Sequence, residues 1–239
     1  MMIVHLAETR GKADHGWLKS YHTFSFADYY NPERMNFGSL RVINDDIIAA
    51  GTGFGRHPHR DMEIITIPLK GAVRHQDSQG NEGVIKKGEI QVMSAGTGIF
   101  HSEFSDETQE TNLLQIWILP QKLGIRPHYE QKTFPLEGRK QHFQLLASPD
   151  GRDGSLVINQ SAFISISDFE ADNKLFYWPY LETNGIYLFI MSGTFEIQDH
   201  VFHERDGVGF DKMTSVEIKS IGSGEILVLE IPMRLDQRQ

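Results

Sequence analysis

The chain has 239 residues, 39% of them hydrophobic and 23% charged, proportions of a globular protein long enough for one large domain or two small ones. Its 32 acidic and 23 basic residues give a formal net charge of -9, and no Lys/Arg cluster offsets an acidity that disfavours nucleic acid and anionic lipid. No apolar run approaches the roughly 20 residues of a membrane-spanning helix. The start, MMIVHLAETRGKADHGW, lacks the basic-then-apolar layout of a secretory signal, and the absence of cysteine excludes disulfides and thiolate metal sites. The expectation is a cytoplasmic protein with neither a membrane nor a direct nucleic-acid partner.

In chain order, an aromatic-rich segment comes first, with His15, Trp17, Tyr21, His22, Phe24 and Phe26, and reads as packing over the body of the fold. Short apolar runs follow between Gly, Asp and Asn turns: LRVIND, MEIITIPL, EIQVMSA, LLQIWILP, SLVINQSAFISI, GIYLFIM, TFEIQ and EILVLEI. Helical periodicity is scarce, so the class is all-β. An internal echo sets the architecture. Residues 67–77, IPLKGAVRHQD, match residues 189–199, FIMSGTFEIQD, and each copy is followed by a second glycine turn and another apolar strand. Two similar barrels in tandem are expected. The polar, proline-bearing stretch 119–144 reads as their connection, with the boundary near residue 135: one barrel in 1–135, the other in 136–239.

The chemistry-bearing residues cluster in the first half. His57 and His59 in GRHPHRDME are two apart, so on a strand both imidazoles project from one face and can meet one metal ion. His101 and Glu103 in GIFHSEF repeat that spacing on a later strand. Three histidines and a carboxylate form a mixed N/O set suited to a divalent transition metal. The second half offers only His200 and His203, three apart and read as surface residues, while His75 and His128 read as structural or exposed.

Several stretches carry a resemblance beyond these residues: HGWLKSYHTFSFADYY at 15–30, LRVINDD at 40–46, GFGRHPHRDMEI at 53–64, HQDSQGN at 75–81, MSAGTGIFHSE at 93–103, IWILP at 116–120 and SPDGRDGSL at 148–156. With them the chain resembles the pirins, bicupins of the cupin superfamily. The resemblance implies two tandem cupin (jelly-roll, double-stranded β-helix) barrels, with a metal on His57, His59, His101 and Glu103 of the first and none in the second. General cupin spacing admits Glu63 as the ligand carboxylate; only the pirin resemblance selects Glu103. The implied ion is divalent, Fe(II) before Ni, Mn, Co, Cu or Zn. Bacterial pirins are similar to quercetinases, which implies a flavonol and O2 as substrates, carbon monoxide release, and Glu103 as candidate catalytic base. Animal pirins imply an alternative, a nonenzymatic redox-sensing cofactor that binds protein partners, and a purely structural metal site is a third. A monomer is expected.

Overall fold

The computed structural model describes residues 2–234. In chain order its strands are β1 (Met2–His5), β2 (Gly11–Asp14), β3 (Leu18–His22), β4 (Leu40–Ile48), β5 (Gly53–His59), β6 (Glu63–Lys70), β7 (Ala72–Asp77), β8 (Glu82–Lys86), β9 (Glu89–Ser94), β10 (Ile99–Ser105), β11 (Thr111–Ile118) and β12 (His128–Thr133). The second half adds β13 (Gln144–Ser148), β14 (Leu156–Val157), β15 (Phe163–Phe169), β16 (Lys174–Tyr177), β17 (Asn184–Ser192), β18 (Thr194–Ile197), β19 (His200–His203), β20 (Gly207–Phe210), β21 (Val216–Ser220) and β22 (Gly224–Pro232). Short 3-10 turns are the only helical elements among the described residues, and no helix is long and apolar enough to cross a membrane.

Each half closes a seven-stranded sheet over a four-stranded one. The first half has the orders β12-β9-β6-β11-β4-β3-β2 and β5-β10-β7-β8; the second has β1-β20-β17-β22-β15-β13-β14 and β16-β21-β18-β19. These are two cupin barrels of one design. The echo seen in the sequence falls on β6–β7 and β17–β18, whose connecting glycines, Gly71 and Gly193, both have positive φ. A Cβ on either would stand 2.7 Å from a backbone oxygen, that of Glu110 or Ser223, so both turns demand glycine.

The barrels exchange their leading strands. β12, which precedes the second barrel, pairs with β9 of the first, and β1, which precedes the first, pairs with β20 of the second. Two expectations therefore change. Residues 2–5, assigned by sequence to the first barrel, belong to the sheet of the second, because a pairing across some two hundred residues leaves no local pattern. The stretch 119–144 is no plain connection either. Its middle, HYEQKT, is an edge strand with one face on water, and that exposure explains its polarity.

Alternation on the large sheets sends one row of side chains into each barrel and the other into the seam between barrels. The seam is a continuous hydrophobic core in which Ile43, Ile65, Leu114 and Ile116 meet Leu146, Ile164, Phe189 and Leu229. At the top of the seam lies Glu63, fully buried, its Oε2 accepting bonds from Ser94 Oγ (2.5 Å) and the Asn159 backbone N–H of the second barrel (3.0 Å). Glu63 shares the parity of Ile65, not of Ile64, and so faces away from the barrel interior.

Candidate metal centre

β5 and β10 are antiparallel neighbours with His101 opposite His57 and Ile99 opposite His59. This register brings the three imidazoles to one point at the barrel mouth: the ring centroids are 4.9 Å apart for His57 and His59, 4.4 Å for His57 and His101, and 4.8 Å for His59 and His101. Their ligand nitrogens all lie within 4.8 Å of one another. A register shift between His101 and Glu103 bends β10, and Glu103 points into the interior, fully buried. A second group within the same limit joins His101 and Glu103 to His75 of β7. His101 thus belongs to both groups, while Glu103 meets the His57–His59 pair only through it.

The tautomers favour donation to a cation. His57 Nδ1 donates to the Gly55 carbonyl at 2.8 Å, which leaves its Nε2 lone pair free. His101 Nε2 is buried and has no protein partner, an orphan acceptor that a metal would satisfy. Burial, with the neighbouring imidazoles, lowers His59 to about 4 and His101 to about 2, so both rings are neutral at physiological pH. Glu103 is shifted the other way: burial first, then the charge of Asp46, raise it to about 7. Its Oε2 accepts from Gln115 Nε2 at 3.0 Å, and the Thr66 hydroxyl lies 3.4 Å from Oε1.

Around this centre is a cavity of about 260 Å³. Phe26, Phe54, Ile64 and Trp117 form apolar walls, and Trp117 stands edge-on to His59 at 4.9 Å. The opposite wall is polar. Ser20 donates to Asp46, whose carboxyl burial pushes up to about 7, and His22 Nδ1 lies 2.9 Å from Asn44 Oδ1. His15 and His22, read from sequence as packing residues, line this cavity. Sequence reasoning passed over Asn44 and Asp46, at the end of one apolar run, and Gln115, inside another. Their signal was parity, Asn44 and Asp46 lying two apart in the row that also holds Leu40, Val42 and Ile48.

His75 is fully buried beside His101, with their Nδ1 atoms 3.5 Å apart. Glu63 belongs to neither ligand group. Cupin spacing admitted it as a rival, but Asp61, with φ 48°, turns the chain between β5 and β6. His200 and His203 are exposed.

Residues 4–118 match the Pirin family and residues 145–231 the quercetinase C-terminal cupin domain. The chain is 42% identical to quercetin 2,3-dioxygenase of Escherichia coli strain K12 over 97% of this chain and 99% of that protein. It is also 42% identical to a pirin-like protein of Caulobacter vibrioides, over 92% of this chain and 95% of that one. The crystal structure of the bacterial pirin YhhW from Escherichia coli in complex with nickel(II) superposes with a TM-score of 0.91 at 42% identity, covering 97% of this chain and 99% of that one. With this agreement along nearly its whole length, the chain belongs to the pirin family.

Proposed function

We propose that this protein is a metal-dependent dioxygenase that opens the heterocyclic ring of a flavonol such as quercetin, with release of carbon monoxide. The observation that carries the reading is a cluster of three imidazoles, one of which, His101, also neighbours a buried carboxyl, in an aromatic-lined cavity. The names of the relatives, quercetin 2,3-dioxygenase among them, support it.

The donor set fits a divalent transition metal: imidazole nitrogens, one carboxylate, no thiolate and an orphan nitrogen on His101. His57, His59, His101 and Glu103 would hold the ion, with Fe(II) as the proposed species. When bound, such an ion supplies Lewis acidity toward a substrate oxygen and a redox partner for O2. The chain's own groups do the rest. Phe26, Phe54 and Trp117 confine a flat aromatic substrate and exclude water. Glu103, buried beside the histidines, is placed to accept the proton of a flavonol hydroxyl, and Gln115 and Thr66 hold its two oxygens during the transfer.

The test is metal analysis of protein purified without added metal, coupled to oxygen uptake and loss of the flavonol absorption band. Fully metal-loaded protein that never consumes oxygen with a flavonol would refute the dioxygenase and leave the regulatory role.

A further inference from the structure

The segment HQDSQGN at 75–81 takes no part in the chemistry above, yet it is among the most tightly organised pieces of the first barrel. Asp77 Oδ1 accepts from the backbone N–H groups of Gln79 (2.8 Å) and Asn81 (3.0 Å), and Oδ2 accepts from Asn81 Nδ2 (2.8 Å). Gly80 supplies the positive φ, 89°, that closes this turn. The carboxylate is thereby locked in place, with one further neighbour: His75 Nε2 lies 3.4 Å from Oδ2, and both side chains are fully buried. His75 and Asp77 are two apart on β7, hence on one face. Tyr129 lies flat on the His75 ring, with centroids 4.7 Å apart and planes 25° apart. The other ring nitrogen, Nδ1, faces Nδ1 of His101 at 3.5 Å.

The proton inventory of this chain has one consistent solution. Asp77 is an acceptor, so His75 carries its proton on Nε2 and its Nδ1 is a lone pair. That lone pair takes the Nδ1–H of His101. His101 then presents a lone pair on Nε2, the atom that is buried and without a protein partner. We propose that Asp77 and His75 are positioning residues that fix the tautomer and ring orientation of His101 and so pre-organise the metal centre. A carboxylate acting on a ligand imidazole is a known device for raising ligand basicity; here it acts through an interposed histidine that adds a second hydrogen bond. The proposal rests on His101 as a ligand, and its readout is metal affinity, so it stands or falls apart from the identity of the substrate.

Nickel(II) affinity, measured by competition with a chelator, and the visible spectrum of the nickel-loaded protein give the test. His75→Leu, which has neither acceptor nor donor, should weaken affinity by about 10- to 100-fold and shift the spectrum. His75→Gln can accept from His101 and donate to Asp77, and should restore affinity to within about threefold of the parent. Asp77→Asn should give a smaller loss, roughly threefold to tenfold. Thermal unfolding of the metal-free variants separates folding from binding. Unchanged affinity in His75→Leu would overturn the proposal. So would a loss as complete as that of His101→Ala, since His75 would then be a ligand itself. Should His75→Leu fail to fold, unchanged affinity in Asp77→Asn would be equally decisive.

Discussion

The two barrels share strand order and turn geometry, and differ in what fills them. With Gly71 laid over Gly193, Thr66 falls on Leu188 and His75 on Ile197. The strand registers carry the overlay further, placing His101 on Val216, Glu103 on Ile218 and Gln115 on Val228. These five polar residues of the first barrel thus have aliphatic counterparts in the second, whereas Asn44 and Asp46 fall on the buried Ser165 and Ser167. The second interior is accordingly one cluster, with Leu188, Ile197, Val216, Ile218 and Val228 in mutual packing. The first is split into two smaller clusters, one around Ile48, Val73 and Leu113 and one around Ile64, Met93 and Ile99. A site costs its barrel a continuous core; the first barrel keeps its shape because its outer face is built into the apolar seam shared with the second. One fold can therefore keep a destabilising polar centre on one side and a stabilising core on the other.

The largest expected effect tests which barrel binds. His57→Ala or His101→Ala removes a donor with no replacement nearby, and each should abolish tight metal binding. His200→Ala and His203→Ala should leave one ion per chain, because both rings are exposed and occupied locally, His200 Nδ1 by the Gln198 carbonyl at 2.7 Å and His203 Nδ1 by the Thr194 hydroxyl at 3.4 Å. Metal analysis decides; two tight ions per chain, or full occupancy in the first pair, would end the division of labour.

Next in size is a transplant of the polar layer. Ile218→Glu places a carboxyl where Glu103 sits in the first barrel, but with Leu188 and Val228 in place of Thr66 and Gln115. An unpartnered buried carboxyl should cost about 3 to 5 kcal/mol in denaturant unfolding. Glu103→Gln, which keeps shape and partners, should change metal-free stability by only about 1 kcal/mol. A mild Ile218→Glu would mean that the second interior admits water.

Much of this contrast was legible in the sequence, and the rest was not for identifiable reasons. The candidate pairs His57/His59 and His101/Glu103 were visible because strand parity is local, and the twin barrels because the glycine turns at 71 and 193 recur. Glu63 stood as a rival to Glu103 because a single left-handed residue, Asp61, resets parity between β5 and β6. The role of His75 was hidden because its partner lies on a neighbouring strand. β1 and β12 escaped notice as the two leading strands, one too short and the other too polar to show alternation.

Those leading strands differ in their response to acid. β12 is partly exposed, whereas β1 ends in His5, buried with Nδ1 2.8 Å from the Tyr187 hydroxyl. Burial, with the charge of Arg34, lowers His5 to about 4. Its folded pKa lies below the unfolded value near 6.5, so the unfolded chain binds the proton more readily. The contribution of His5 is complete above about pH 6.5 and is lost as pH falls toward 4, with about 2 kcal/mol gone near pH 4.5. His5→Gln should remove that slope: the difference in unfolding free energy between parent and variant, followed from pH 7 to 4.5, should shrink by this amount. A constant difference would mean that His5 titrates normally.

The smallest effect separates the two buried glutamates. Glu63 serves the seam and Glu103 the cavity, although both are raised by burial. In Glu63→Gln the amide oxygen can still accept from Ser94 and the Asn159 backbone N–H, while the new NH2 replaces Oε1, an atom with no partner. The variant should lose about 1 kcal/mol of stability from that unpaired donor and keep its metal affinity within about twofold, as expected for a side chain outside the ligand shell. Glu103→Gln, with a stability change no larger than that, should weaken metal binding by losing the anionic donor, so the two variants part on metal affinity. Calorimetric metal titration beside urea unfolding reads both at once. If Glu63→Gln proved the metal-deficient variant, the centre would lie on the seam side of β6, and the assignment of Glu103 with the interior histidines would have to be abandoned.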